Sequence, residues 1–210
     1  MIDERPCEAN AEERVDDDGV VKVGRVADIA PRGSAADLRA MCDAIIHRGP
    51  DDEGFYFKNQ TAMGMRRLSI IDLAGGHQPI SNEDGTVWVA FEGELFEHND
   101  LRDQLRAKGH QFATRCDTEV WVHLYEEYKS GIFELGHGQF AVSLWDRKER
   151  TGWLGRDRIG IAPLYYAESD GWLLFGSEIK VLLSSGMLDV RPNPRAIDYF
   201  FNFFSMPWKD

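Results

Sequence analysis

Apolar positions along the chain recur with two periods, and each change of period marks a change of element. Residues 20–26, VVKVGRV, alternate as a strand does, and Pro31-Arg32-Gly33 closes the run with a turn. Ser34 then stands where a helix cap is wanted. Leu38, Met41, Cys42, Ile45 and Ile46 follow at helical spacing, which predicts about three turns ending at His47. After a loop rich in glycine and proline, residues 55–57 and 62–68 read as a hairpin across Lys58-Asn59-Gln60. The next strand is the clearest: Val87, Val89 and Phe91 face one way and Trp88 and Ala90 the other, so both faces are expected to be buried.

That strand is expected to end where Glu92-Gly93-Glu94 begins, with Asn99 capping a helix over residues 99–106 and Asp117 capping another over 119–128. Beyond it the period shortens again. Residues 140–145, 152–156, 163–167 and 172–176 are four short apolar runs with short polar connections, a spacing that implies antiparallel pairing. A helix over 178–184 stops at Gly186, and an aromatic helix over 196–204 follows Pro192 and Pro194. Antiparallel strands with helices grouped on their faces indicate an α+β layered fold.

Composition narrows the function classes. At 210 residues and 43% hydrophobic content the chain fits one well-buried core. A formal charge of −12 opposes binding to phosphate backbones and anionic membranes, so no nucleic acid and no membrane partner are expected. No apolar run reaches the roughly 18 residues of a membrane span, and the N-terminus lacks a secretory pattern. Cys7, Cys42 and Cys116 form neither a metal-type pair nor an even disulfide set. The expected location is therefore the cytoplasm, with no metal and no cofactor. Residues 1–19, with eight acidic residues and two arginines in the first 18, read as an acidic, disordered tail.

Chemistry concentrates at two places. Glu92-Gly93-Glu94 delivers two carboxylates around a glycine that permits close approach of backbone to a ligand, although a solvated charged loop has the same composition. Arg66-Arg67, beside Leu68, Ile70 and Ile71, offers bidentate recognition of a carboxylate, although exposed arginines at a strand end are commoner. P-loop, GxGxxG, HExxH and GxSxG motifs are absent from the sequence, and no internal repeat is found.

Several segments, in order, resemble the class II glutamine amidotransferase domain of glutamine-hydrolysing asparagine synthetases. They are HRGPDDEG from His47, RRLSIIDL from Arg66, QPISNEDG from Gln78, the strand into Glu92-Gly93-Glu94, CDTE from Cys116, GRDRIGIAPLYY from Gly155 and FGSEIKVLL from Phe175. The resemblance implies a four-layer αββα sandwich of the N-terminal-nucleophile hydrolase type over residues 20–192. Residues 193–210 then resemble the entry into a synthetase domain. It also implies that an N-terminal cysteine attacks the side-chain amide of glutamine and that the ammonia serves a synthetase. On this mapping Arg67 binds the glutamine α-carboxylate, Leu68, Ile70 and Ile71 wall the pocket, Gly93 presents its N–H to the oxyanion, and Glu94 and Asp117 hold the substrate ammonium.

Three departures qualify the resemblance. Counting back without gaps from Gly33, the family's nucleophile falls at Val23, which has no nucleophilic atom. Processing to expose Cys7 would restore one, but Cys7 is followed by Glu8-Ala9-Asn10 and not by the family's Gly-Ile. Secondly, Glu92 replaces the asparagine that donates to the oxyanion; losing one such donor costs about 3–4 kcal/mol of transition-state stabilisation, and a carboxylate adds repulsion. Phe96, Glu97 and Ala162 also depart from the family pattern. Thirdly, a sequence ending at residue 210 has no synthetase domain, so complete asparagine synthesis is not expected of it.

The favoured expectation is a degenerate amidotransferase domain, a pseudoenzyme that retains a site for glutamine or a related amino acid. The alternative is an active glutaminase with Cys7 as nucleophile, supplying ammonia to a separate synthetase. Phe200, Phe201, Phe203 and Phe204 are expected either to pack on the sandwich or to form an exposed apolar patch.

Overall fold

The computed structural model describes residues 14–15, 21–22, 34–58, 61–69 and 75–204. The acidic tail, most of the strand expected over 20–26, and Cys7, Val23, Ile70 and Ile71 lie outside the described residues.

Ten strands and six α-helices are defined among these residues. A two-residue ribbon, β1 (Arg14–Val15) with β2 (Val21–Lys22), is followed by α1 (Ala35–Asp43). Ser34 caps α1 as its position predicts: its hydroxyl accepts from the Asp37 N–H while the Asp37 carboxylate accepts from the Ser34 N–H. The helix ends at Asp43, and the chain to Arg48 continues as turns, shorter than the three full turns expected. β3 (Asp52–Lys58) and β4 (Thr61–Arg67) form the hairpin, with the first strand longer than its apolar run because Asp52 and Glu53 pair with Arg67 and Arg66.

β5 (Ile80–Ser81), β6 (Val87–Leu95), β7 (Gly138–Asp146) and β8 (Thr151–Arg156) make a four-stranded antiparallel sheet in that order. β5 is too short to have a readable period. β9 (Tyr165–Ser169) and β10 (Trp172–Gly176) form a separate hairpin, so the four late strands divide between two sheets. The helices are α2 (His98–Ala107), α3 (Thr118–Tyr128), the short α4 (Ile132–Leu135) after a 3₁₀ turn, α5 (Ile179–Ser184) and α6 (Pro194–Phe203).

Burial assembles these elements into four layers. Val87, Val89, Phe91 and Leu95 of β6, with Phe140, Val142 and Leu144 of β7, pack against Leu105 of α2, Val120, Trp121, Leu124 and Tyr125 of α3, and Ile132 and Phe133 of α4. Trp121 is completely buried, and burial of one such side chain stabilises the fold by roughly 1.5–3 kcal/mol. The opposite face of the sheet, Trp88, Ala90 and Trp145, meets Tyr56 and Met63 of the first hairpin and Phe175 of β10. Leu174, Val181 and Leu182 then join β10 to α5, with Met41 and Ile45 from the α1 region completing that layer. The order is helices, sheet, paired hairpins, helices. The alternation seen in residues 87–91 is thus realised with one face in each core.

Three local expectations are corrected. β6 does not stop at Phe91; its ladder with β7 runs on through Glu92 opposite Ala141, Gly93 opposite Phe140, Glu94 opposite Gln139 and Leu95 opposite Gly138. Backbone pairing carries the strand through residues whose side chains alone read as a turn. Asn99 does not cap α2, because Glu97 takes the left-handed conformation at φ 56° and its carbonyl accepts from Asp100 and Leu101. Asp117 occupies the cap position of α3 but sends its carboxylate elsewhere. The aromatic helix α6 starts at Pro194, where proline suits the first helical position, and buries none of its residues; Phe200, Phe201, Phe203 and Phe204 are all half or more exposed. Among the described residues no helix is long and apolar enough to cross a membrane.

Candidate functional site

The far end of β6, the end of β4 and the start of α3 converge on an open cavity of about 660 Å³. That is ample for a free amino acid and within the ordinary range of small-molecule sites. The pleat decides which groups reach it. Gly93 and Leu95 continue the face of Val89 and Phe91, whereas Glu92 and Glu94 continue the face of Ala90, toward the hairpin layer. Gly93 sits at φ +125°, and a Cβ there would lie 2.0 Å from the Gln139 carbonyl oxygen. Only glycine allows β6 and β7 to approach this closely while Glu92 and Glu94 flank the opening.

The cavity lining includes Arg48, Arg66 and Arg67 on one side of the charge balance and Glu92, Glu94 and Asp117 on the other. Arg67 is 7% exposed at the end of β4, where Pro50 forms a bridge with it and its carbonyl accepts from the Asp51 N–H at 3.1 Å. Arg66 is held by two carboxylates: Nη2 donates to Asp43 Oδ1 at 2.6 Å and lies 3.0 Å from Glu53 Oε2. Leu68 lines the cavity but is more than half exposed. Asp117 is buried, and its Oδ2 accepts from the Leu95 N–H at 3.1 Å, tying the start of α3 to the end of β6.

Glu92 is paired. Arg48 Nη2 donates to Glu92 Oε1, and Arg48 Nη1 lies 3.9 Å from Glu178 Oε1, which also contacts His47 Nε2 at 2.6 Å. The Lys180 ammonium and His47 beside Glu178 hold its carboxyl below the usual carboxylate range. The residue expected to bring uncompensated charge into the cavity is therefore met by a guanidinium from the loop after α1. Pattern reading of the sequence missed Arg48 as a cavity residue; its only signal is membership of the HRGP motif.

Behind the charges lies a buried polar chain. Gln78 Oε1 accepts from the Phe91 N–H at 2.7 Å and Gln78 Nε2 donates to Thr118 Oγ1 at 3.1 Å, which also accepts from Cys116 Sγ at 3.1 Å. Arg102, buried on α2, donates to the Thr114 carbonyl at 2.5 Å and the Cys116 carbonyl at 2.6 Å, holding the loop that leads into Asp117. Both thiols at this cavity are suppressed: burial pushes Cys42 up to about 11 and raises Cys116, so neither supplies a ready thiolate. A second, smaller cavity of about 150 Å³ between Leu38, Met41, Trp145, Trp153 and Phe175 is apolar apart from groups such as Asp37, which is committed to the α1 cap.

The structure thus brings Arg67, Leu68, Glu92, Gly93, Glu94 and Asp117 to one cavity. Guanidinium and carboxylate groups disposed around a half-open space suit a zwitterion, one charge type for each end of the ligand.

Comparisons with known proteins agree with this architecture. The family model described as a glutamine amidotransferase domain matches residues 23–209. The chain is 44% identical to asparagine synthetase [glutamine-hydrolyzing] 2 of Bacillus subtilis (strain 168) over 147 residues, covering 70% of this chain and 19% of that protein. It is 37% identical to asparagine synthetase [glutamine-hydrolyzing] 1 of the same organism over 170 residues, covering 81% and 27% respectively. The chain therefore spans only about a fifth to a quarter of these relatives' length. Among solved structures it resembles the glutamine phosphoribosylpyrophosphate amidotransferase of B. subtilis complexed with ADP and GMP, with a TM-score of 0.57 and 19% identity over 73% of this chain and 42% of that one. A structure titled as the allosteric regulatory enzyme of purine biosynthesis matches with a TM-score of 0.51 and 24% identity, covering 62% and 30%. At such identities the likeness is one of fold.

Proposed function

Given that this chain belongs to the glutamine amidotransferase domain family, in its asparagine synthetase type, we propose that it binds glutamine or a closely related amino acid without hydrolysing the side-chain amide. The observation that carries the reading is the Arg48–Glu92 ion pair at the cavity. In the mapping from the family, Glu92 stands where an amide donor should stabilise the oxyanion. A carboxylate already holding a guanidinium offers no donor and draws off a positive charge. Loss of such a donor costs about 3–4 kcal/mol, or a factor of 10²–10³ in rate. The absence of a nucleophilic atom at Val23 is an independent obstacle to the reaction.

Binding is a separate requirement, and its residues are retained. Arg67, buried at the end of β4, takes the α-carboxylate. Glu94, with Asp117 at the start of α3, takes the α-ammonium, and Leu68 walls the aliphatic stem. Ammonia for a separate synthetase would require Cys7 at a processed N-terminus.

The test is calorimetry with millimolar glutamine combined with an ammonia-release assay and intact-mass analysis. The expected result is binding that Arg67→Ala weakens at least about tenfold, since a charge-assisted hydrogen bond contributes roughly 1.5–3 kcal/mol, with no ammonia released. Ammonia release that Cys7→Ala abolishes, from protein beginning at Cys7, would establish the catalytic reading instead. Absence of binding heat, or unchanged affinity in Arg67→Ala, would remove the amino-acid site.

A further inference from the structure

The loop after α2 and the side of α3 that it covers bring together three metal-ligating side chains that the amino-acid site does not use. His110, His123 and Glu126 each offer one ligand atom, and these atoms lie within 4.8 Å of one another. Glu126 Oε2 is central: His110 Nδ1 stands 3.3 Å from it and His123 Nδ1 3.0 Å. For a tetrahedral ion with bonds of about 2.0–2.1 Å, neighbouring ligand atoms are separated by roughly 3.3 Å. Both separations from Glu126 are already close to that value.

The outer partners strengthen the case. Metal-bound histidines typically turn their second ring nitrogen to a carboxylate, which sets the tautomer and the ring orientation. His110 Nε2 contacts Glu127 Oε1 at 3.1 Å. His123 is 1% exposed, its Nε2 has no hydrogen-bond partner among the described residues, and it faces Glu119 Oε1 at 3.9 Å. The second oxygen of Glu126 accepts from Asn82 Nδ2 at 2.7 Å, which holds this side chain in place as well. Phe112, its ring centroid 4.4 Å from that of His123, shields one side, while Glu126 and His110 are only partly buried and leave a route for an ion from solvent.

We propose that His110, His123 and Glu126 form a binding site for a divalent transition-metal ion, best suited to Zn(II), that pins the loop after α2 to α3. Two imidazoles and a carboxylate are a borderline donor set, favoured by zinc and its neighbours over magnesium or calcium. Water completes the coordination. The site is structural: it joins the loop to the helix whose N-terminus carries Asp117, and it lies among residues that are not part of the cavity lining.

The experiment uses the untagged full chain freed of metal by chelation and titrated with ZnCl₂, with CoCl₂ as a spectroscopic probe. The expected results are one zinc per chain, visible d–d bands with cobalt, and a rise in Tm of about 5 °C at a hundredfold excess over Kd. His110→Gln and Glu126→Gln are partly exposed and preserve side-chain size. Each is expected to weaken zinc binding at least tenfold and to remove most of the thermal shift while its metal-free Tm stays close to that of the native chain. His123→Gln adds a third ligand test, read only if its circular dichroism matches the native chain. Failure of the native chain to bind zinc, or native affinity in either His110→Gln or Glu126→Gln, would overturn the assignment.

Discussion

Arg48 on the loop after α1 donates through Nη2 to Glu92 on β6, so the carboxylate that the proposed function sets against amide hydrolysis is electrostatically answered from a segment 44 residues away in sequence. Both side chains are about one-third exposed. The pair is therefore worth no more than about 1 kcal/mol to stability, since water screens it. Arg48→Ala and Glu92→Ala should each lower Tm by no more than about 4 °C, with a coupling of about 0.5–1 kcal/mol in a double-mutant cycle. Urea denaturation of the four proteins measures it; strictly additive effects would deny the pair any energetic role.

Gly93 is the steric hinge of the site. With φ at +125° and the Gln139 oxygen 2.0 Å from any added Cβ, alanine cannot be accommodated without moving β6 from β7. Gly93→Ala should destabilise the chain by about 3 kcal/mol or more, combining backbone strain with a backbone clash. A Tm within 2 °C of the native value would show that the ladder yields easily.

Asp157 predicts an acid-sensitive joint between the sheet and the loop after β8. It is 6% exposed, and its carboxylate accepts from the amides of Phe140, Ile159, Ile161 and Ala162 at 3.0–3.2 Å. Burial opposes ionisation, but the amides of Ile161, Ala162, Phe140 and Gly160 outweigh it and hold the group below its ordinary value of 3.8. With the folded value depressed, the stabilisation is complete above the unfolded value and disappears as pH falls through the folded one. Asp157→Asn should cost about 2–3 kcal/mol at neutral pH, because its NH₂ faces amide donors, and should flatten the loss of stability below about pH 4. Chemical denaturation between pH 2 and 7 checks both.

The two thiols at the cavity are buried and should be unreactive in the folded chain. Cys42 and Cys116 have raised values, so in the native chain at pH 8 they should resist iodoacetamide and react only on unfolding. Peptide mass spectrometry of pulse-labelled protein reads this directly. Rapid native labelling of either would contradict the packing around the cavity.

Phe201 on α6 and Phe204 at its C-terminal cap are 75% and 83% exposed, and the helix buries none of its residues. Replacing both with Ser should change stability by less than about 0.5 kcal/mol per site. A larger loss would place them in a packed interface.

Much of the local architecture is legible because it rests on short-range rules. Ser34 with Asp37 three residues on announces a capping box, and the alternation of Val87 to Phe91 announces a strand buried on both faces. The failures have a common origin. Glu92-Gly93-Glu94 reads as a turn because no side-chain pattern reveals that β7 supplies hydrogen-bond partners as far as Leu95. Asp117 reads as a helix cap because the competing donor, the Leu95 N–H, is brought to it only by the fold. His110 and His123 carry no ligand-like spacing, since one lies in a loop and the other on a helix that folds back past it.

The sequence by itself determined much of the alternation of elements and the family, and it supplied the expectation of which residues line the site. The resemblance also carried the expectation that Glu92 stands where the family has an amide, a reading made from residue identities without coordinates. Only the tertiary structure decided what Glu92 does there. Its charge is meaningful in relation to Arg48 and, beyond it, Glu178, and those three approach one another because β6, the loop after α1 and the start of α5 pack around one cavity. Hydrogen bonding and ion pairing act over a few ångströms of space regardless of sequence separation, so neither is written in the local pattern.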